Sequence, residues 1–336
     1  MPKLDHIFVI VNAEDLHSPA LQRAAALAQA SGARLELAAF AYERSIAHWG
    51  QWDQWLMNVT IRDSLDALES ALESRCAELC KDGIEAVGSV YWGHPLHAAM
   101  AAQVARSQPD LVIKDIGYAA WLTRHVLTPL DAQLLRLCPA PLMLVRQTEA
   151  LPQRVLAAVD PVNRHDKPRG LNRDIIGMAQ SMAELSQADL DLVAAYDAMP
   201  PLPYTTLELS RVERVYQDQL NQARTVFAEL AAAQGIGAEH CHFLQTSVVE
   251  SGLQDFVSQH QADLLVVGTT YRKALRQAIL GTVSEALLYT VDCDVLAVKP
   301  EGFAADLPRY IDMQDPDLVR DLRRVRDKAQ EAAVAS

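Results

Sequence analysis

The residues best suited to chemistry lie in one stretch near the C-terminal end of the chain. A short apolar run, Leu264–Val267, ends on Gly268, a pattern typical of a strand buried on both faces of a parallel sheet. Gly281 and Thr282 come directly before a helical pattern that starts at Val283. Glycine lets a backbone approach a ligand closely, and the first turn of a helix offers free N–H groups and the positive end of a dipole. This combination favours the binding of a phosphate group.

The segment between the two glycines carries both basic and bulky side chains. Arg272, Lys273 and Arg276 can neutralise a phosphate, although solvated loop charges are an equal alternative. Tyr271 has three open interpretations: it blocks the path of the phosphates, lies aside, or stacks on a base.

Composition and charge narrow the class of protein. The chain has 336 residues, half of them hydrophobic, and a net charge of −13, which argues against nucleic acid and anionic membranes as partners. No apolar run approaches the roughly 18–20 residues of a membrane span. The first residues predict a strand rather than a signal peptide, and the five cysteines, an odd number, suit a reducing compartment. We therefore expect a cytoplasmic protein.

Strand and helix patterns alternate twice along the chain. Each half predicts the order βαβαβαβαβ, which indicates an α/β fold with a five-stranded parallel sheet covered by helices on both faces. The predicted elements include a long helix over Thr60–Lys81, strands over Arg154–Asp160 and Ala238–Leu244, and a C-terminal helix over Pro316–Ala333. We expect two domains, residues 1–149 and 150–304, followed by a charged helical tail, residues 305–336.

The two halves align without gaps near their C-terminal ends. Subtracting 153 takes Asp263 to Asp110, Leu280 to Leu127 and Val298 to Val145. One constant offset through strand, loop, helix and strand indicates a duplicated domain, not a solenoid.

With these residues in view, the chain resembles the universal stress protein family in its tandem form. The family motif is glycine, two residues, glycine, nine residues, glycine, then serine or threonine, and Gly268, Gly281 and Thr282 hold three of its four places. The resemblance implies a doubly wound, Rossmann-like fold that binds adenine nucleotides. It implies contacts to ATP from the following residues: Asp160 and Tyr196 at the base and ribose, Val267 and Gly268 beneath the ribose and phosphates, and Gly281, Thr282, Val283 and Ser284 at the phosphates. Tyr271 and Arg272 belong to the same candidate site.

Two departures from the family pattern stand out. Tyr271 replaces the second motif glycine. In the N-terminal copy the motif positions hold Asp115, Tyr118, Thr128 and Pro129, and Asp131 adds another carboxylate. Because carboxylates would stand where phosphate should lie, we expect no ATP binding of the family type in the N-terminal copy.

Other clusters have weaker claims. Cys76 and Cys80 share a helix face, His94 and His97 lie at a strand-to-helix junction, and His240 and His242 alternate along a predicted strand. We interpret all three pairs as structural, so no metal site is expected. The tryptophans of residues 43–58 either line an apolar pocket or cover the core or the other domain.

The sequence thus favours a non-catalytic stress-response regulator that binds ATP, accompanied by Mg²⁺, through its C-terminal domain. The alternatives are a site remodelled for another small or apolar ligand and a ligand-free scaffold; slow ATP hydrolysis is a third hypothesis, for which no base is evident. A nucleotide is the expected small-molecule partner, with protein partners for the output. The family resemblance implies pairing of the two copies through their last strands, and it leaves a further homodimer open.

Overall fold

The chain divides into two compact units, one built mainly from Lys3–Leu151 and the other from Pro152–Glu301; they are called the N-terminal and C-terminal domains below. The computed structural model describes residues 2–12, 15–41, 54–92, 96–116, 129–146, 151–161, 170–197, 209–269, 282–300 and 302–303. The predicted tail helix, residues 316–333, lies outside these ranges.

The described part of the N-terminal domain alternates strands and helices. Its elements are β1 (His6–Val11), α1 (Pro19–Ser31), β2 (Arg34–Ala41), α2 (Gln54–Lys81), β3 (Ala86–Trp92), α3 (Leu96–Ser107), β4 (Leu111–Asp115), α4 (Pro129–Leu137) and β5 (Leu142–Val145).

The C-terminal domain repeats this order. Its elements are β6 (Arg154–Ala158), α5 (Leu171–Ser186), β7 (Asp189–Asp197), α6 (Leu209–Ala233), a 3₁₀ turn (Ala238–His240), β8 (Cys241–Thr246), α7 (Val249–Gln259), β9 (Leu264–Gly268), α8 (Thr282–Thr290) and β10 (Asp294–Val298).

Within each domain the strands form a parallel sheet whose central strand starts the domain. The order is β3-β2-β1-β4-β5 in the N-terminal domain and β8-β7-β6-β9-β10 in the C-terminal domain. Strands β1, β4 and β5 are buried along their whole length, as are β9 and β10. The strand order reverses between β1 and β4, and between β6 and β9. In open α/β sheets such a switch point leaves a crevice at the carboxyl ends of the strands. The predicted fold class is confirmed.

The amino ends of the two sheets are held by the same hydrogen-bonded clamp. In the N-terminal domain the backbone N–H groups of Asp5 and His6 both donate to Asp110 Oδ2, each at 2.9 Å. In the C-terminal domain the N–H groups of Gln153 and Arg154 donate to Asp263 Oδ2, also at 2.9 Å each. The two clamping carboxylates are related by the sequence offset of 153.

Several element boundaries differ from the sequence prediction, among them the following three. Helix α2 begins at Gln54, not Thr60, so Trp55 belongs to the helix rather than to an insertion; Trp49 and Trp52 lie outside the described residues. Strand β8 begins at Cys241 because Ala238–His240 forms a 3₁₀ turn. Strand β6 ends at Ala158 rather than Asp160, so Asp160 follows the strand.

Candidate functional site

The crevice of the C-terminal domain has Asp160 on one side, just after β6. The Val159 N–H bonds the β7 carbonyl of Val193 at 2.9 Å and so continues the sheet pairing by one residue. The next residue is held by the side chain of Asn172, the second residue of α5. Asn172 Nδ2 donates to Asp160 O at 2.6 Å, and the Asp160 N–H donates to Asn172 Oδ1 at 3.3 Å. Sequence reasoning missed Asn172, because no local pattern ties it to a residue twelve positions earlier.

Gly268 ends β9 on the other side of the crevice, and its lack of a side chain serves helix packing. A Cβ built at Gly268 would lie 2.7 Å from Ile175 Cδ1 and 2.9 Å from Leu171 Cδ2, both on α5. The first turn and a half of α5 therefore fits closely against the end of β9 because this residue is glycine. Val267, beside it in the strand, is buried.

Beyond Gly268 the chain stays attached to the sheet for one more residue. Thr269 donates to Val298 O through its N–H at 2.9 Å and through Oγ1 at 3.1 Å. In the N-terminal domain the Ile116 N–H donates to Val145 O at 3.0 Å, which is the same bond after the offset of 153. In both copies the last hydrogen bond to the sheet after the fourth strand is therefore made by equivalent residues.

The predicted phosphate segment is described only in part. Helix α8 begins at Thr282, one residue before the predicted start, and Val283 is half-buried. The side chains of Thr282 and Ser284 lie outside the described part of the chain, as do Tyr271, Arg272 and Gly281. Their assignment to phosphate remains a prediction.

Tyr196, near the end of β7, lies in an aromatic cluster. Its ring centroid is 6.2 Å from that of Tyr216 and 6.3 Å from that of Phe243. Phe243 in turn contacts Phe227 of α6, at 6.0 Å between centroids. The tyrosine is half-buried by this packing against α6, and its predicted contact with a base stays a prediction.

In the N-terminal domain the position of Gly268 is taken by Asp115, which ties β4 to α1. The backbone N–H of Ala20, the second residue of α1, donates to Asp115 Oδ1 at 2.8 Å. Ser18 occupies the N-cap position, but its hydroxyl makes no capping hydrogen bond. Burial raises the pKa of Asp115, against the opposing influence of the Ser18 hydroxyl, the Ala20 N–H and the Lys114 ammonium. The Asp115 carboxylate thus occupies the position at which the C-terminal domain has a glycine and no side chain.

The neighbouring residue, Lys114, forms a buried ion pair at the start of α4. Its Nζ donates to Asp131 Oδ1 at 2.8 Å and to Asp115 O at 2.7 Å. Asp131 is fully buried and lies in the first turn of α4. The offset of 153 relates Lys114 to Val267 and Asp131 to Ser284. An internal carboxylate therefore occupies the helix turn that corresponds to the predicted phosphate contact Ser284.

Of the three other predicted pairs, His94 and His97 cannot be compared, because His94 lies outside the described residues. His240 Nδ1 and His242 Nε2 lie 3.1 and 3.3 Å from Asp191 Oδ1, so both imidazoles contact the same carboxylate. The predicted alternation along a strand is wrong, because His240 belongs to the 3₁₀ turn and only His242 lies in β8. Among the residues that the structure describes, no group of three or more His, Cys, Asp and Glu side chains could hold a metal ion. Cys76 is buried, which raises the pKa of its thiol, whereas Cys80 is exposed.

This fold, with its duplicated switch-point crevice, defines a tandem α/β protein, and comparison with known proteins gives its family. The model of the universal stress protein family matches residues 3–146 and 153–299. These two segments cover most of the chain, one in each domain. The protein therefore belongs to the universal stress protein family.

Two curated relatives that cover nearly the whole chain are named universal stress protein E. The protein of Photorhabdus laumondii is 26% identical over 313 residues, which cover 90% of this chain and 97% of that protein. The protein of Escherichia coli K12 is 24% identical over 327 residues, which cover 94% of this chain and all of that protein.

Solved structures agree with the fold. A protein of unknown function from Pseudomonas aeruginosa PAO1 superposes with a TM-score of 0.71 at 23% identity, covering 97% of this chain and 98% of that one. A putative universal stress protein from P. aeruginosa UCBPP-PA14 gives a TM-score of 0.69 at 26% identity, with 90% and 96% covered. None of the helices within the described ranges has the length and apolarity of a membrane span.

Proposed function

We propose that this universal stress protein binds ATP, with Mg²⁺ as counter-ion, at the crevice of its C-terminal domain, and that the bound nucleotide regulates contacts with protein partners. The observation that carries the proposal is the difference between the two crevices. Carboxylates Asp115 and Asp131 stand at the strand and helix ends of the N-terminal domain, whereas the corresponding C-terminal residues are Gly268 and Ser284, which carry no charge.

Electrostatics explain why this difference matters. In the N-terminal domain Asp115 is a buried carboxylate at the start of α1, which would repel a triphosphate in a region of low dielectric when ionised. Asp131, paired with Lys114, already places an anion in the first turn of α4. A helix N-terminus without an internal anion keeps its free N–H groups and dipole available for a phosphate. Arg272, Lys273 and Arg276 add positive charge to the loop that precedes α8.

Isothermal titration calorimetry with ATP and Mg²⁺ tests the proposal. We expect one ATP per chain. Gly281→Asp places a carboxylate before α8 and should weaken binding about tenfold or more, because juxtaposed like charges cost several kcal/mol. Thr128→Asp introduces the same carboxylate at the corresponding N-terminal position and should leave the affinity unchanged.

Three results would contradict the proposal. The first is no heat at millimolar ATP from protein with a cooperative unfolding transition. The second is equal sensitivity of the affinity to both substitutions. The third is recovery of a different small molecule, in stoichiometric amount, by mass spectrometry of gently purified protein, which would favour a site remodelled around Tyr271.

A further inference from the structure

The Asn172 side chain makes two hydrogen bonds that its own helix does not need. Asparagine in the first turn of a helix commonly bonds the backbone of that helix. Here the Asn172 side chain instead makes hydrogen bonds to the backbone on both sides of Asp160. Its Nδ2 donates to Asp160 O at 2.6 Å, and the Asp160 N–H donates to its Oδ1 at 3.3 Å. Helix α5 starts from Gly170, whose φ of 92° is in the left-handed region, without any side-chain cap.

We infer that Asn172 is a positioning residue for the nucleotide site: its amide fixes the backbone of Asp160 and thereby the direction of the Asp160 carboxylate. This inference rests on the function proposed above, in which Asp160 contacts the ribose or base.

The geometry supports a positioning role because Asp160 lies beyond the strand. Asp160 follows Val159, whose N–H still pairs with β7. Bonds to both the N–H and the C=O of Asp160 hold its φ and ψ, so the Cα–Cβ bond has one direction. A half-buried carboxylate in this position is presented to a ligand without the entropy cost of ordering its backbone.

The N-terminal domain uses a different tether at the same helix position. Its second helical residue is Ala20, which has no side chain to reach β1 and whose N–H bonds Asp115 of β4. There α1 is tied to the fourth strand of its domain, whereas α5 is tied by Asn172 to the end of the first. Among the described residues, a side-chain amide thus ties the helix to the end of the first strand in the C-terminal domain, whose fourth strand ends in glycine.

A double-mutant cycle separates positioning from simple stabilisation. Affinity for ATP and Mg²⁺ is measured by calorimetry for the wild type, Asn172→Ala, Asp160→Ala and the double variant. Losing one or two hydrogen bonds of ordinary strength corresponds to about 3- to 10-fold weaker binding for Asn172→Ala. In the Asp160→Ala background the same substitution should change affinity less than about twofold, because no carboxylate remains to be positioned.

Two further variants test whether the effect on affinity is specific to the Asn172 amide. Asn172→Asp keeps the shape of the side chain but replaces the Nδ2 donor, 2.6 Å from Asp160 O, by an anionic oxygen; it should bind ATP at least as weakly as Asn172→Ala. Gln180→Ala removes another side-chain amide of α5, which donates to Gln234 O at 2.8 Å. It should cost comparable stability and leave the affinity unchanged.

The outcomes are distinguishable. Absence of ATP binding by the folded wild type overturns the proposed function, and the inference with it. If the wild type binds and Asn172→Ala binds equally well, the inference alone is wrong. An equal effect of Asn172→Ala with and without the Asp160 carboxylate would also overturn it, since the amide would then act only through stability.

Discussion

The carboxyl edges of the two domains differ although their amino edges match. At the amino edge, Asp110 and Asp263 each accept two backbone N–H groups with the same distances. At the carboxyl edge, Asp115 in one domain corresponds to Gly268 in the other, and the ion pair of Lys114 with Asp131 has no charged counterpart. The two copies therefore share the hydrogen bonds that join the amino ends of their first and fourth strands. They differ at the carboxyl ends of the strands, where open α/β sheets bind ligands.

The largest effect is expected from breaking the buried ion pair of the N-terminal domain. Lys114→Ala leaves the fully buried Asp131 without its ammonium partner and should destabilise the protein by about 3–5 kcal/mol in urea unfolding. Lys114→Val combined with Asp131→Ser, the residues of the C-terminal copy, should cost much less than Lys114→Ala alone. A double variant as unstable as the single one would show that the loss does not come from leaving Asp131 buried without Lys114.

Filling the space at Gly268 should have the next largest effect. Gly268→Ala puts a methyl group within 3 Å of Ile175 and Leu171 and should cost about 1–3 kcal/mol by the same measurement. Because the closest atom is Ile175 Cδ1, adding Ile175→Val should recover part of the loss. Unchanged stability of Gly268→Ala would mean that the glycine is not needed for packing.

The two amino-edge clamps should have equal, smaller effects. Asp110→Ala and Asp263→Ala each remove a half-buried carboxylate, one oxygen of which accepts two N–H groups at 2.9 Å. We expect a loss of about 1–2 kcal/mol for each. A large difference between the two variants, in urea unfolding under one set of conditions, would contradict the structural equivalence of the domains.

The smallest effect concerns the charge of Asp115. Its pKa is raised above the ordinary 3.8, mainly by burial, so the stability linked to its protonated form is complete below that value and is lost as pH rises through the raised pKa. Asp115→Asn keeps an acceptor for the Ala20 N–H and removes the charge. It should therefore unfold at a modestly higher temperature than the wild type at pH 7.

The pH series provides the control for Asp115→Asn. The advantage of the variant should shrink as pH falls towards 4, because the wild-type carboxyl then also becomes neutral. An advantage that is constant from pH 7 to pH 4 would show that charge is not its cause.

Much of this architecture could be predicted from the sequence. The apolar run Leu264–Val267 indicated a buried parallel strand, and the offset of 153 indicated the duplication. The negative charges of Asp115 and Asp131 were also evident, because they replace a glycine and a serine of the other copy. Helix and strand ends were less certain: the 3₁₀ turn at Ala238–His240 takes the first three residues of the strand that was predicted over Ala238–Leu244.

The sequence by itself determined the fold class, the repeat and the positions where the copies diverge, since periodicity and spacing are properties of the chain. Only the tertiary structure decided which side chains meet there: Lys114 with Asp131, Asn172 with Asp160, and Gly268 beneath Ile175. Neighbours in a strand face opposite sides of the sheet, so Lys114 and Asp115 have partners on different helices. The distance from a strand end to a helix depends on how the helix packs, and local sequence does not encode that packing.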